Sequence, residues 1–251
     1  MTTSRYKIIR PNEREDYRPL AGEIAEISWP EFMLQDPIAN EHWHELFDRF
    51  EEYQFALWDD EADRMAGMAN SLPFHWKQSL EDLPEGGWDW VFLKAIGDHE
   101  AGTKPNTQSA IQINVHPDYQ GRGLSKLMVR YMRGIGEAKG FQHLVAPVRP
   151  SQKSQYPLIS IDDYITWKNL DSLPFDAWLR VHARVGARII KPCHESMIIR
   201  GSRAEWETWT GMKFPQSGTY HIPGALNPIE MDLERDEGIY VEPNVWVVHE
   251  L

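Results

Sequence analysis

Cysteine is almost absent from this sequence, because Cys193 is the single cysteine among 251 residues. That scarcity excludes an intramolecular disulfide framework and any metal site built from several cysteines. No stretch approaches the roughly 20 apolar residues that a membrane helix needs, and residues 1–10 are charged and polar, without the apolar core of a secretory signal. We therefore expect a soluble, cytoplasmic protein with no membrane partner.

Positive charge is also in short supply, with 26 lysines and arginines against 38 acidic residues and a net charge of −12. This balance argues against a nucleic-acid-binding surface as the main role. Hydrophobic residues make up 41% of the chain, which is enough for a sizeable core and excludes wholesale disorder. Eleven tryptophans are an unusual number, and each is more simply a core residue than a pocket wall.

Strand-like and helix-like segments alternate along the chain. Period-2 and β-rich patterns predict strands at 6–10, 53–58, 64–71, 110–115, 143–148, 187–190, 197–199 and 245–249. Apolar residues at three- and four-residue steps predict helices at 13–29, 42–50, 88–98, 124–139 and 175–185. We expect 187–190 to pair with 197–199, and Ile111, Ile113 and Val115 to share one face of their strand. The order of elements indicates an α+β or mixed α/β fold.

A glycine-rich turn joins the strand at 110–115 to the helix that follows. Gly121 and Gly123 leave backbone N–H groups uncovered, and the positive end of the helix begins at the same point. Such a turn is a cradle for phosphate or pyrophosphate. Between residues 120 and 140 five basic residues stand against one acid, Glu137. A local cationic patch on an acidic chain suits a polyanionic ligand, although a plain turn before a basic amphipathic helix is the structural alternative.

Two motifs resemble those of the GNAT superfamily of acyl-CoA-dependent N-acetyltransferases. Val115-His116-Pro117 followed by the segment 120–125, Gln-Gly-Arg-Gly-Leu-Ser, is similar to its acyl-CoA-binding motif, with serine in place of the last glycine or alanine. The end of the helix at 175–185, His182-Ala-Arg-Val-Gly-Ala, is similar to its Tyr-x-x-x-Gly-Phe pattern, with His182 in place of the tyrosine. We identify the chain as a member of that superfamily on these two motifs.

The resemblance implies a GNAT fold, with a central mixed, mostly antiparallel, twisted sheet flanked by helices. We expect residues 1–251 to form one such domain, with a C-terminal extension from about residue 202. The implied activity is transfer of an acetyl or other short acyl group from acyl-CoA to a small-molecule acceptor, most simply a primary amine. Acetyl-CoA is then a co-substrate, and no metal is expected. A homodimer is left open.

Site residues follow from the same resemblance. The pantetheine arm would lie along Ile113, Asn114 and Val115, and the pyrophosphate on the turn formed by Gln120, Gly121, Arg122, Gly123, Leu124, Ser125 and Lys126. His182 is the candidate general acid for the leaving thiolate, on the premise of a pKa near 6.5; a core histidine is the alternative. Trp29, Phe32 and Trp43 are expected to line the acceptor pocket. No general base can be assigned, and His75, Glu81, His116 and the acidic cluster near Trp58 are candidates by residue type alone.

Two other functions stay open. Loading domains of some polyketide synthases share the His-x-x-x-Gly-Ala pattern, and they act as acyl-CoA decarboxylases or S-acyltransferases with a carrier protein. They are usually described with a threonine in the preceding strand segment, where this chain has Val148-Arg149. The third hypothesis is a CoA-binding module without turnover.

Overall fold

A computed structural model describes residues 5–251 of the chain. In this range the strands are β1 Tyr6–Ile9, β2 Phe55–Asp59, β3 Arg64–Phe74, β4 Thr107–Val115, β5 His143–Val148, β6 Arg188–Gly201, β7 Gly218–Tyr220, β8 Ile229–Asp232 and β9 Glu237–Glu250. They form one sheet in the order β1-β2-β3-β4-β5-β9-β8-β7, and β6 pairs with β9. Every pairing is antiparallel except that of β4 with β5. The predicted mixed, mostly antiparallel sheet is confirmed.

Helices cover both faces of this sheet. They are α1 Tyr17–Ser28, α2 Pro37–His42, α3 Glu45–Asp48, α4 Gly87–Glu100, α5 Leu124–Lys139, α6 Ile161–Tyr164, α7 Ala177–Arg184 and α8 Arg203–Thr210. Side chains of α1 and α4 bury one face of the sheet, and side chains of α5 and α7 bury the other. This arrangement removes most of the apolar surface of both faces from water, which is the main stabilising term for such a fold. No helix among residues 5–251 is both long and apolar enough to span a bilayer.

The C-terminal part of the chain differs most from the sequence-based expectation. The predicted pairing of 187–190 with 197–199 is wrong, because both segments belong to β6 and both pair with β9. The register of that pairing shifts between Cys193 and Met197, and the residues between these two have no paired residue on β9. β9 is likewise 14 residues long rather than the five at 245–249. Of the predicted helix at 42–50, His42 is the last residue of α2 and Glu45–Asp48 form the short α3.

A bulge in β4 changes the direction of its side chains. Ser71 pairs with Ala110 and Asn70 with Gln112, so that Ile111 is the extra residue. Ile111 packs in the core under α1 and α4, whereas Ile113 and Val115 pack on the α5 side. The prediction that all three share one face is therefore wrong, because simple alternation does not continue through a bulge.

β4 and β5 separate soon after they begin to pair. Their parallel pairing runs from Thr107 with His143 to Ser109 with Val145 and does not continue beyond that pair. The rest of β4 pairs only with β3, and the rest of β5 only with β9. A gap therefore opens in the middle of the sheet and reaches from one helical layer to the other.

Candidate active site

Three neighbouring spaces lie at the gap between β4 and β5 and share lining residues. The slot is a cavity of about 50 Å³, and the residues that line it include Trp88, Gln112, Arg149, Trp178, His182 and Asn244. The glycine cleft, of about 360 Å³, lies on the α5 and α7 side and shares Ile113 and Trp178 with the slot. The aromatic pocket, also about 360 Å³, lies on the α1, α2 and α4 side and shares Trp88, Ile111, Gln112 and Met197 with the slot.

Backbone conformation shapes the glycine cleft. Gly121 and Gly123 have φ values of +75° and +76°, in the left-handed region that side chains rarely adopt. α5 begins directly afterwards at Leu124 and runs for 16 residues. Both glycines line the cleft, together with Gln120, Leu124 and Ser125. The N-terminal end of α5, with its unpaired N–H groups, therefore lies at a cleft large enough for an anion.

Arg122 and Lys126, which belong to the same predicted turn, are not among the residues that line the glycine cleft. The Arg122 guanidinium donates a hydrogen bond to the Asp118 carbonyl at 2.8 Å and lies 4.9 Å from the centre of the Tyr119 ring. Its charge therefore acts on the cleft from a distance in this conformation.

The strand before the turn supplies another wall of the cleft, which Ile113 and Val115 line. Asn114 alternates with them and is only 8% exposed on the other side of β4.

His182 lies at the slot, on α7, and is 3% exposed. Its Nδ1 lies 3.0 Å from His249 Nε2 on β9, and its Nε2 has no hydrogen-bond partner among the described residues. Burial and the neighbouring His249 lower the pKa of His182 to about 3. Burial and Arg133 lower the pKa of His249 to about 4. The premise of an unperturbed pKa is therefore wrong, and both imidazoles are neutral at neutral pH.

Two of the three aromatic residues predicted to line an acceptor pocket do line the aromatic pocket. They are Trp29 and Trp43, and Trp88 forms a third aromatic wall. Glu26 and Asn40 contribute polar groups. Phe32 does not take part: it is 1% exposed and packs in the core, 5.2 Å from the Tyr240 ring and 5.9 Å from that of Trp206. Trp206 is itself fully buried.

Arg149 and Asn244 line the slot, although no local motif marks them. The available sequence signal is a polar residue at an apolar strand. Arg149 directly follows the apolar strand β5, and Asn244 interrupts an apolar stretch of β9.

The residues considered as general bases lie away from the slot. His75 contacts the Lys104 carbonyl, Glu81 contacts Ser79, and His116 contacts Arg64. Among residues 5–251 no group of three His, Cys, Asp or Glu side chains is arranged to hold a metal ion.

Comparison with known proteins identifies the family. A sequence model of the acetyltransferase (GNAT) family matches residues 21–159. The arginine N-acetyltransferase avaD of Aspergillus versicolor is 31% identical over an alignment of 247 positions that covers 88% of this chain and 84% of that protein. The chain belongs to the GNAT acetyltransferase family. As a GNAT acyltransferase it uses acyl-CoA as its co-substrate, and the predicted family and enzyme class are confirmed.

Solved structures of the same fold agree with this assignment. The loading GNATL domain of CurA from Lyngbya majuscula superimposes with a TM-score of 0.66 at 19% identity, covering 98% of both chains. A GNAT-like decarboxylase, GphF, solved in complex with isobutyryl-CoA, gives a TM-score of 0.54 at 13% identity over 98% of this chain and 99% of that one. At these identities the likeness concerns the GNAT fold alone.

Proposed function

We propose that this GNAT acyltransferase transfers an acetyl group from acetyl-CoA to the primary amine of a small acceptor, and that the reaction takes place in the slot. The observation that carries the proposal is the position of the slot between two larger spaces. CoA can approach through the glycine cleft and the acceptor through the aromatic pocket, so that thioester and amine meet beside His182. Holding two reactants in contact in this way supplies much of the rate enhancement of a bimolecular reaction.

The glycine cleft supports binding of CoA by the main chain. In this proposal the pyrophosphate lies on the N–H groups of residues 120–125 at the start of α5, with Lys126 and Arg122 contributing charge from the rim. The pantetheine arm lies along Ile113, Asn114 and Val115, whose edge of β4 has no strand partner after the separation from β5. An extended arm can use that edge as an added strand would.

The aromatic pocket supports a cationic acceptor. Trp29, Trp43 and Trp88 offer ring faces, which attract guanidinium and ammonium groups. Glu26 adds a carboxylate at the same pocket. The name of the avaD relative, arginine N-acetyltransferase, supports arginine as the first acceptor to examine.

His182 carries the proton between the two reactants in this proposal. It is neutral at the start, with Nδ1 donating to His249 and the lone pair of Nε2 left for a proton. As the amine nitrogen bonds to the thioester carbon, Nε2 accepts the proton that the nitrogen loses. When the C–S bond breaks, the same proton goes to the CoA thiolate. His182 is therefore the general acid only after it has acted as a base, since its low pKa leaves Nε2 without a proton at neutral pH.

His182→Gln tests this role. We expect release of CoA thiol with acetyl-CoA and arginine to fall by at least about tenfold, the usual contribution of a general acid or base. His221→Gln is the matched control, because that histidine is exposed and lines none of the three spaces. Unchanged turnover in His182→Gln would assign His182 to the core instead.

The pH dependence of stability gives a second readout of His182→Gln. Between pH 6.5 and about 4 the unfolded chain binds more protons than the folded one, since the folded pKa values of His182 and His249 are lower than the unfolded value. The free energy of unfolding should therefore fall as the pH is lowered through this window, by up to about 1.4 kcal/mol per pH unit for each imidazole. His182→Gln should reduce that slope in urea titrations. An unchanged slope would contradict the burial of a neutral His182.

The other two hypotheses have distinct signatures. Release of CO₂ from malonyl-CoA in the absence of an amine would indicate a decarboxylase, and acyl transfer to a carrier-protein thiol would indicate an S-acyltransferase. Tight CoA binding without thiol release for any acceptor would indicate a binding module without turnover.

A further inference from the structure

Arg149 lies where the slot meets the aromatic pocket. It directly follows β5 and lines the slot. Its guanidinium carbon is 5.8 Å from the centre of the ring of Trp29, which in turn lines the aromatic pocket. A group attached next to the reacting amine of an acceptor would therefore lie beside this guanidinium.

The guanidinium of Arg149 is held in one orientation. Its Nε donates to Glu242 Oε1 at 2.5 Å, and its Nη2 donates to the Gly224 carbonyl at 2.6 Å. Glu242 is fully buried and also accepts a hydrogen bond from the Tyr240 hydroxyl. A cation fixed by charge-assisted bonds loses little entropy when a ligand arrives, which favours binding of a planar anion.

The charges around Arg149 are unbalanced. Lys153 is fully buried, and its Nζ donates to the carbonyls of Tyr156 and Leu226 and to no carboxylate in the described part of the chain. Burial lowers the pKa of Lys153 to about 8, and the charge of Glu242 opposes that shift, so the amine is largely protonated at neutral pH. Two cations thus share the single carboxylate of Glu242, and a buried excess of positive charge favours an anionic ligand.

We propose that Arg149 binds a carboxylate of the acceptor, so that the preferred acceptors are amines that carry a carboxylate on the adjacent carbon, as α-amino acids do. The inference rests on the proposed function, since it concerns the amine acceptor of that reaction. Arg149 is then a specificity-determining residue, and the proton transfers at His182 do not involve it. The same guanidinium could instead receive a carboxylate on the acyl chain, such as that of a malonyl group, and the experiment separates these two sources.

The experiment measures thiol release from acetyl-CoA with matched acceptors. Arginine is compared with argininamide, which has lost the negative charge, and with agmatine, which lacks the carboxyl group; phenylalanine and phenethylamine form a second pair. We expect kcat/KM for each amino acid to exceed that for its partner without a carboxylate by at least about tenfold, as for other hydrogen bonds to charged groups. The same assays are run on variants at Arg149.

Arg149→Met leaves Glu242 buried without its cation, so the chain can fail to fold for that reason alone. The double variant Arg149→Met/Glu242→Gln removes both charges, and Arg149→Lys keeps the charge but not the planar fork. In the folded double variant we expect the preference for arginine over argininamide and agmatine to fall to about one.

The outcomes separate the two proposals. Equal kcat/KM for the amino acids and their partners without a carboxylate in the native protein, or an unchanged preference in the folded double variant, overturns the role of Arg149 and leaves amine acetylation standing. Release of CO₂ from malonyl-CoA that requires Arg149 and no amine assigns the carboxylate to the acyl group, and this also overturns the inference. No thiol release with any acceptor overturns amine acetylation and, with it, the inference.

Discussion

The two large spaces on either side of the slot are built in different ways. The glycine cleft is formed largely by a continuous segment, residues 113–125, whose backbone conformation provides its main features. The aromatic pocket is formed by side chains from α1, α2, α4, β4 and β6 and from the segment before α2. Backbone groups can bind the part of the substrate that a whole family shares, whereas the part that varies between members needs side chains. We therefore expect substitutions on the two sides to separate CoA binding from acceptor binding.

Gly123→Val should have the largest effect, and it should act on the CoA side. An added Cβ has no atom within 4 Å, so the cost comes from the φ of +76° and not from a clash. A β-branched residue in the left-handed region costs of order 1–3 kcal/mol, which we expect to change the turn and raise the Kd for CoA by at least about 30-fold in calorimetry. Gly134→Val, within α5, is the matched control. Equal affinities for the two variants would show that the turn does not bind the nucleotide.

Trp43→Ala should act on the acceptor side only. Loss of one ring face should raise the KM for the acceptor by about tenfold and leave the Kd for CoA within about twofold of the native value. Trp43→Phe should recover most of the loss, because it restores an aromatic face. A parallel change in CoA affinity would contradict the separation of the two spaces.

Arg122→Glu should have the smallest effect. Because its guanidinium contacts Asp118 and Tyr119 rather than the cleft, we expect a less than about threefold increase in the Kd for CoA at physiological ionic strength. The increase should become larger at low salt, where charges act over longer distances. A loss comparable to that of Gly123→Val, independent of salt, would mean that Arg122 contacts the phosphates directly when CoA is bound.

Local patterns were sufficient for much of the fold and for one side of the site. β5 has the predicted bounds 143–148, and α5 follows the glycine turn as expected, since each depends on residues close together in sequence. The aromatic pocket was predicted less well. Phe32 and Trp43 are both aromatic residues in the same part of the chain, and only the packing of α8 and β9 determines that Phe32 is enclosed.

Long-range pairing explains the remaining differences. Nothing near residues 188–201 indicates that they form one strand along β9, because their partners are about 40 to 60 residues further along the chain. The low pKa of His182 has the same origin: its ring is buried by α7 and His249, and the latter is 67 residues away. The type of a residue and its position in a motif can predict a chemical role for it. The protonation state of its side chain, however, depends on neighbours that only the tertiary structure brings near.

The position of β9 between β5 and β6 has a consequence for biosynthesis. All of the strands that β9 pairs with are translated before it, so the edge of β5 that pairs with β9 has no partner until β9 is added. An unpaired strand edge on a nascent chain is a site for aggregation and for chaperone binding. The slot itself includes Asn244 of β9 in its lining, so it is complete only after β9 has been added.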